Sequence, residues 1–382
     1  MTDRSLDNAR LSPTDVAVNL LWCVPGAVGG SEQYLVRQLI GLASQPAEFV
    51  PTLFCLPAFV DAHPELAELY PMDAVGIAGD ERPRRILAEH TWLRRRTRSA
   101  DLVHHGGGTA PMVGRRPIVL TIHDLQYLSH PAYLSAAKFR YLSWTIPRSV
   151  HRAAVIAVPT EYVRRTVIDA FDVDADRVLV VPHGVEPHLG ASAPTAFDLR
   201  RDYGLGAGRV LVFPAITHPH KGHRFLLEVM AEYWDDPDLR LVLLGGAGAA
   251  DSEVTATIDR LGLSRRVVRP GRVPDSHRDG LIALASALVF PSEYEGFGAP
   301  VVEAMALGTP VVCSDQPALV EVVGDVGLTR PLELEAWADV LDIVDRDASA
   351  MRSAGRRRAS SFTAERSGAG LAAAYRAALA IG

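Results

Sequence analysis

Cysteine is scarce in this chain. Among 382 residues there are three, Cys23, Cys55 and Cys313, scattered through separate apolar runs with no Cys-x-x-Cys pair and no clustered histidines. An odd, dispersed set makes neither a disulfide framework nor a zinc site, so each thiol is expected to be buried and structural. Lysine is scarcer still. Of the 39 basic residues, all but Lys138 and Lys221 are arginines. That skew, with abundant alanine, marks a GC-rich coding sequence rather than a function, and it makes each lysine a departure from the local habit. No apolar run reaches the roughly 18 residues that a membrane-spanning helix needs. The polar opening MTDRSLDNARLSPTD lacks the basic and apolar parts of a secretory signal, and a cytoplasmic protein is expected. Positive charge is not in excess either: the net charge is -6 and the pI about 6.1, against the basic balance of a nucleic-acid binder. What remains is 48% hydrophobic and 22% charged, the balance of a globular chain long enough for two domains.

Short β-like runs alternate with helix-like stretches almost throughout. They are residues 16–21, 52–56, 101–104, 117–123, 154–159 and 178–182 in the first half, then 209–214, 239–245, 266–271, 287–292 and 310–314. Several are apolar at every position, as strands of a parallel sheet covered on both faces must be. Amphipathic stretches such as SEQYLVRQLIGLA and SHRDGLIALASA are long enough to be crossover helices. The rhythm breaks once, at GASAPTAFD. The expected organisation is therefore two doubly wound domains, residues 1–190 and 191–362, followed by an Ala-rich helix over 363–382. The site expected of such a fold is the crevice facing the carboxyl ends of both sets of strands.

The most informative segment is PSEYEGFGAPVVEAMALGTPVV, residues 291–312. A helix is expected over Ala299–Leu307, with Pro300 in its first turn and Gly308 just past its end. Gly296 and Gly298 let the backbone approach a ligand closely, and the free amides at the helix start suit a phosphate oxygen. Glu295 precedes that helix, and Glu303, a turn into it, can accept two hydrogen bonds from a vicinal diol. The second informative segment is FPAITHPHKGHRFLLEVM, residues 213–230, in which Lys221 opens a helix and is placed to neutralise a diphosphate.

The pair Glu295 and Glu303, with seven residues between them, resembles the E-x7-E motif of glycosyltransferase family 4, retaining enzymes of the GT-B fold. The stretch Pro214-Ala215-Ile216-Thr217-His218-Pro219-His220-Lys221 is similar to one in the branch that contains O-antigen-type mannosyltransferases. The resemblance implies two Rossmann-like doubly wound parallel-sheet domains facing a central cleft, with a nucleotide-sugar held mainly by the second. Glu303 would hold the donor ribose, Glu295 would sit near the transferring sugar, and amides at Phe297, Gly298 and Ala299 would reach the phosphates or the sugar. Many family members carry an arginine a few residues before the lysine. Here the stretch is Ala215–His218, which leaves the second phosphate contact among His220, Thr217 and Arg272.

The first half carries shorter signals. GAVGGSEQ, residues 26–33, follows a strand and precedes a helix without the full Gly-x-Gly-x-x-Gly spacing. In the family, a similar loop, here with Gly29 and Gly30, meets donor or acceptor. TIHDLQYL places His123 and Asp124 after a buried strand. The resembling histidine lies near the donor sugar, and the alternative is a capping pair at a strand end. HHGGG, with His104 and Gly107, is expected to be a mobile cleft-facing loop on the acceptor side, together with Asp124. The overlapping Asp-x-Asp pairs of residues 172–176 read as turn residues, and neither a metal nor another cofactor is expected. Gly245–Gly248 reads as a turn with an accessory contact at most. Arg82–Arg98 carries seven arginines: a solvated helix face, or a docking patch for anionic lipid headgroups.

The resulting expectation is transfer of a hexosyl group, with retention, from a GDP- or UDP-linked sugar to a hydroxyl. GDP-mannose is the first choice, with UDP- and dTDP-sugars next. The acceptor class stays open, as does whether Glu295 is a nucleophile or supports front-face attack. Two rivals are a UDP-sugar 2-epimerase and a catalytically silent GT-B protein that binds nucleotide-sugar or supports a partner.

Overall fold

The apolar runs form strands, and those at the centre of each sheet are covered on both sides. The computed structural model describes residues 13–114 and 117–381; the polar opening segment, through residue 12, lies outside them. The first sheet contains β1 (Thr14–Asn19), β2 (Phe49–Cys55), β3 (Met72–Ala74), β4 (Leu102–His105), β5 (Ile118–Thr121), β6 (Val155–Val158) and β7 (Val178–Val180). The second contains β8 (Val210–Pro214), β9 (Arg240–Leu244), β10 (Val267–Gly271), β11 (Ala287–Phe290), β12 (Val311–Ser314) and β13 (Leu328–Arg330). All the pairings are parallel, in the orders β3-β2-β1-β4-β5-β6-β7 and β10-β9-β8-β11-β12-β13. Every residue of β4, β5, β6, β11 and β12 is buried. Cys23, Cys55 and Cys313 are free and buried.

Strands β3 and β13 were not legible in the sequence. Each is three residues long, sits at a sheet edge and is at most half-buried, so neither needs the apolar run that betrays a central strand.

In each sheet the strand order reverses once, between β1 and β4 and between β8 and β11. Diverging helices leave a crevice at such points, and the loops leaving β1, β4, β5, β8 and β11 carry nearly every candidate residue.

The two lobes meet directly. A Cβ added to Gly296 would lie 2.0 Å from the His123 carbonyl oxygen, so only glycine permits this approach. Thr160 Oγ1 donates to the Gly296 carbonyl at 2.9 Å. The amides of Glu161 and Tyr162, at the start of the helix Glu161–Phe171, donate to the Glu321 carboxylate at 2.7 and 2.9 Å, a charge well placed against a helix N-terminus.

The chain crosses between lobes twice, and the crossings lie side by side. The Val185 amide donates to the Phe362 carbonyl at 2.9 Å, and the Ala364 amide to the Val185 carbonyl at 3.3 Å. The helix Ala364–Ile381 then runs along the helix Gly30–Ala43 of the first lobe. Gly41 and Gly368 set their separation: a Cβ on Gly41 would fall 1.7 Å from the Ala364 carbonyl oxygen, and one on Gly368 would fall 2.1 Å from the Gly41 carbonyl carbon. Tyr375, fully buried, completes the first lobe's core against Phe49 and His104.

Candidate active site

The loop after β11 is shaped from beneath. Ser314 Oγ donates to the Ser292 carbonyl at 2.5 Å, Ser292 Oγ to the Tyr294 carbonyl at 3.2 Å, and Gln316 Nε2 to the Glu295 carbonyl at 3.2 Å. Gly298, at φ 87°, turns the chain into the helix Ala299–Leu307, which ends at Gly308 with φ 77°. Both angles lie in the left-handed region that favours glycine. Phe297 is buried and stacks on His183, centroids 4.4 Å apart at 13°, so its ring anchors the loop and only its backbone is available to a ligand.

Lys221 ends a short turn, Pro219–Lys221, which Gly222 at φ 77° joins to the helix His223–Tyr233. Its Nζ donates to Glu295 Oε1 at 2.6 Å. This ion pair stands where the loops after β8 and β11 converge, beside the Gly298 helix start. Glu303 is one turn further along that helix. Its Oε1 lies 2.8 Å from Arg37 Nη2, an arginine of the first lobe's Gly30–Ala43 helix; the two side chains are 7% and 1% exposed. Burial pushes the Glu303 carboxyl up, but Arg37 and Arg278 outweigh it and hold it below its usual range.

The first lobe supplies the opposite wall. His123 is half-buried, its ring 5.7 Å from that of Trp22 and 5.4 Å from that of Tyr34. Its Nε2 lies 2.8 Å from the Gly106 carbonyl, which can only accept, so Nε2 carries the proton. Burial draws the ring down to about 4, so at neutral pH it is uncharged. Nδ1 is then a pure acceptor, and it has no partner among the described residues. Asp124 is exposed, and its Oδ1 accepts the Gln126 amide at 2.8 Å. Gly29, at φ 61°, caps the Gly30–Ala43 helix and faces Ile216 of the other lobe. Glu32 shapes this loop, accepting the Gly26 amide at 2.9 Å on one oxygen and pairing with His63 at 2.9 Å through the other.

Residues 28–189 match the family model described as Glycosyltransferase Family 4, and residues 198–354 match the model described as Glycosyl transferases group 1. Between them they take in both walls of the cleft. The chain belongs to glycosyltransferase family 4. It is 29% identical over 240 residues to O-antigen chain mannosyltransferase B of Escherichia coli, covering 62% of this chain and 63% of that one. It is 31% identical over 252 residues to the D-inositol 3-phosphate glycosyltransferase of Segniliparus rotundus, covering 61% and 56%. The matched part thus spans less than two thirds of these relatives. Among solved structures, the Anabaena protein Alr3699/HepE in complex with UDP and glucose superimposes with a TM-score of 0.76 at 20% identity, covering 95% of this chain and 99% of that one. That likeness fixes the fold as GT-B.

The family 4 cleft gathers Gly29, His123, Asp124, Lys221, Glu295, Gly298, Ala299 and Glu303 along facing loops. Gly30 starts its helix, and a Cβ there would meet nothing within 4 Å. Gly107 lies under the Trp22 ring, 2.4 Å from where a Cβ would sit, on the first-lobe wall.

Other expectations need correction. His104 is not on a cleft-facing loop: it lies in β4 with 0% exposure, its ring nitrogens 2.8 Å from Thr121 Oγ1 and 3.0 Å from Tyr375 Oη. It fastens the Ala364–Ile381 helix to the sheet, and burial takes its pKa down to about 3. Thr217 is spent as well. Its Oγ1 donates to Asp251 Oδ1 at 3.0 Å and accepts the Gly248 amide at 2.6 Å, which also explains Gly245–Gly248 as a folded turn. His220 stacks beside His218, and burial and Lys221 lower its pKa to about 3, so it offers no positive charge at neutral pH. Arg272 is the cation that remains. Exposed, it crosses the cleft to Gly26, where an added Cβ would overlap its guanidinium. Asp172 and Asp174 cap neighbouring turns, and among the described residues no group of His, Cys, Asp or Glu could hold a metal.

Arg37 and Arg278 were missed. Both charges converge on Glu303, yet neither belongs to a motif. The one available sign was that Arg37 is the single basic residue of a 14-residue helix.

Proposed function

We propose that the protein transfers a hexosyl group from a nucleoside diphosphate sugar to a hydroxyl acceptor, with retention at the anomeric carbon. The observation that carries this reading is the Lys221–Glu295 pair, 2.6 Å apart, set beside the open amides of the Ala299–Leu307 helix. As the sugar–phosphate bond breaks, charge grows on the diphosphate and oxocarbenium character on the sugar. Lys221, Arg272 and the backbone amides of Gly298 and Ala299 meet the first, without a divalent metal. Glu295, its Oε1 held by Lys221, serves as the ammonium's counter-charge and positioner rather than as a nucleophile. The acceptor oxygen then bonds to C1 on the face from which the diphosphate departs, and its proton leaves with that diphosphate. His123 Nδ1 is available to a sugar hydroxyl. Close fit of Gly296 against His123 excludes water. GDP-mannose is the first donor, on the likeness to the O-antigen mannosyltransferase; UDP- and dTDP-sugars follow.

The test is nucleotide release from a panel of GDP-, UDP- and dTDP-sugars by purified protein, with and without EDTA. The expected result is slow, EDTA-insensitive release from one donor class. Binding without release would favour a silent GT-B protein instead.

For peripheral membrane contact, the support is local. No described helix is long and apolar enough to cross a membrane. Within Arg82–Arg98, several arginines are committed: Arg82 over the Tyr141 ring, Arg85 to the Trp22 carbonyl, Arg84 to Glu81 and Arg96 to Asp73. Arg94, Arg95 and Arg98 remain exposed, with Leu87 62% exposed on the same helical stretch. Each free charge is worth about 1 kcal/mol near an anionic surface. Replacing Arg94, Arg95 and Arg98 by glutamine should therefore abolish flotation with phosphatidylserine-rich vesicles, and undiminished flotation would remove the idea.

A further inference from the structure

Arg37 is an arginine that no motif requires. It projects from the middle of the Gly30–Ala43 helix, 1% exposed, into the seam between the lobes. Its Nη2 holds Glu303 Oε1 at 2.8 Å and its Nε holds Glu186 Oε1 at 2.9 Å, while Nη1 is buried with no partner among the described residues. Glu186 belongs to the crossing segment next to Val185. One guanidinium therefore touches the first lobe, the hinge and the second lobe at once. A guanidinium cannot shed its proton in a protein, and a buried charge is tolerated only when paired. Glu303 is the partner that moves away if the lobes separate; Glu186 sits at the hinge itself.

From this geometry we infer that Arg37 is a positioning residue for the nucleotide. By holding Oε1 of Glu303 from the opposite lobe, it fixes the carboxylate plane so that Oε2 presents to the ribose diol, and it does so only when the cleft is closed. The inference rests on the reading of Glu303 as the ribose holder. Three features support it. Oε2 accepts no hydrogen bond from a described residue. A carboxylate has about four acceptor sites, so one bond to Arg37 leaves capacity for two hydroxyls. Arg278, tied to Asp279 at 2.8 Å, lies near enough to add a second positive field, which keeps Glu303 ionised and accepting when water is excluded. Ionised at that site, Glu303 still needs a fixed orientation, and Arg37 is the one described residue that touches it through an ion pair.

The experiment compares GDP and UDP with their 2′,3′-dideoxy forms by isothermal titration. In the unaltered protein the ribonucleotide should bind more tightly by about tenfold or more, as loss of hydrogen bonds to a charged acceptor implies. Glu303→Gln should shrink that ratio. Arg37→Met should shrink it as far, by weakening the ribonucleotide and sparing the dideoxy form, and Arg37→Lys should restore part of it. A merely structural role would weaken both ligands alike and leave the ratio intact, which would overturn the proposal. Tighter ribonucleotide binding by Arg37→Met would also overturn it, because the guanidinium would then be competing for Glu303. If the unaltered protein shows no ribose preference, the reading of Glu303 falls and takes the proposal with it. A ratio lost in Glu303→Gln but kept in the Arg37 variants sinks the proposal alone. Should Arg37→Met fail to fold, Arg37→Gln tests the loss of the ratio and Arg37→Lys its partial recovery.

Discussion

Replacing Lys221 by alanine should slow sugar transfer by roughly 10²–10³-fold, the usual loss when one preorganised donor is removed from a developing anion. The effect should appear in kcat, because the diphosphate gains most of its charge in the transition state. Lys221→Arg should not rescue it: a planar fork cannot occupy the site of a compact ammonium 2.6 Å from Glu295. Turnover of the best donor, with urea midpoints to show that the fold survives, decides the matter. If Lys221→Ala retained near-normal kcat, the charge would have to be met elsewhere, and Arg272 would be the next residue to replace.

The second large effect is on stability. Glu303→Ala should cost about 3–5 kcal/mol, the typical penalty for stranding one member of a buried ion pair. Arg37, 1% exposed, would keep its charge with only the half-exposed Glu186 for a partner. Replacing both residues, Arg37→Leu with Glu303→Leu, should recover much of that loss, since a packed apolar pair avoids burying charge at all. Urea denaturation of the single and double variants reads the difference. Equal losses in the single and the double would mean that packing, not charge, is what the site contributes.

How far the sequence announced these features depends on how local their causes are. Val155–Val158 and Ala287–Phe290 declare themselves because a strand covered on both faces must be apolar at every position. The helix Ala299–Leu307 was legible to the residue, since Pro300 and Gly308 mark its ends by backbone chemistry alone. Lys221, Glu295 and Glu303 were legible through the resemblance of their spacing. His104 misled because HHGGG looks like a loop: its glycines are visible in sequence, whereas its partners Thr121 and Tyr375 lie 17 and 271 residues away. The same distance problem hid Arg37, whose partners Glu186 and Glu303 come from the hinge and the other lobe. Thr217 misled for the opposite reason. A hydroxyl beside a lysine suits a phosphate, but a turn 31 residues on takes it first.

The Ala364–Ile381 helix, with Tyr375 plugged between Phe49 and His104, has a consequence for biosynthesis. Residues 14–180 emerge from the ribosome long before the strip that seals their core, and the whole second lobe is made in between. Until then Phe49 and the His104 imidazole border an unfilled slot, and Gly41 has nothing to receive. The nascent first lobe must wait, half-finished and sticky, while its neighbour folds. This is the stage at which a chaperone has most to hold, and mutations in the Gly41–Gly368 seam should lower the yield of native protein more than they lower its melting temperature.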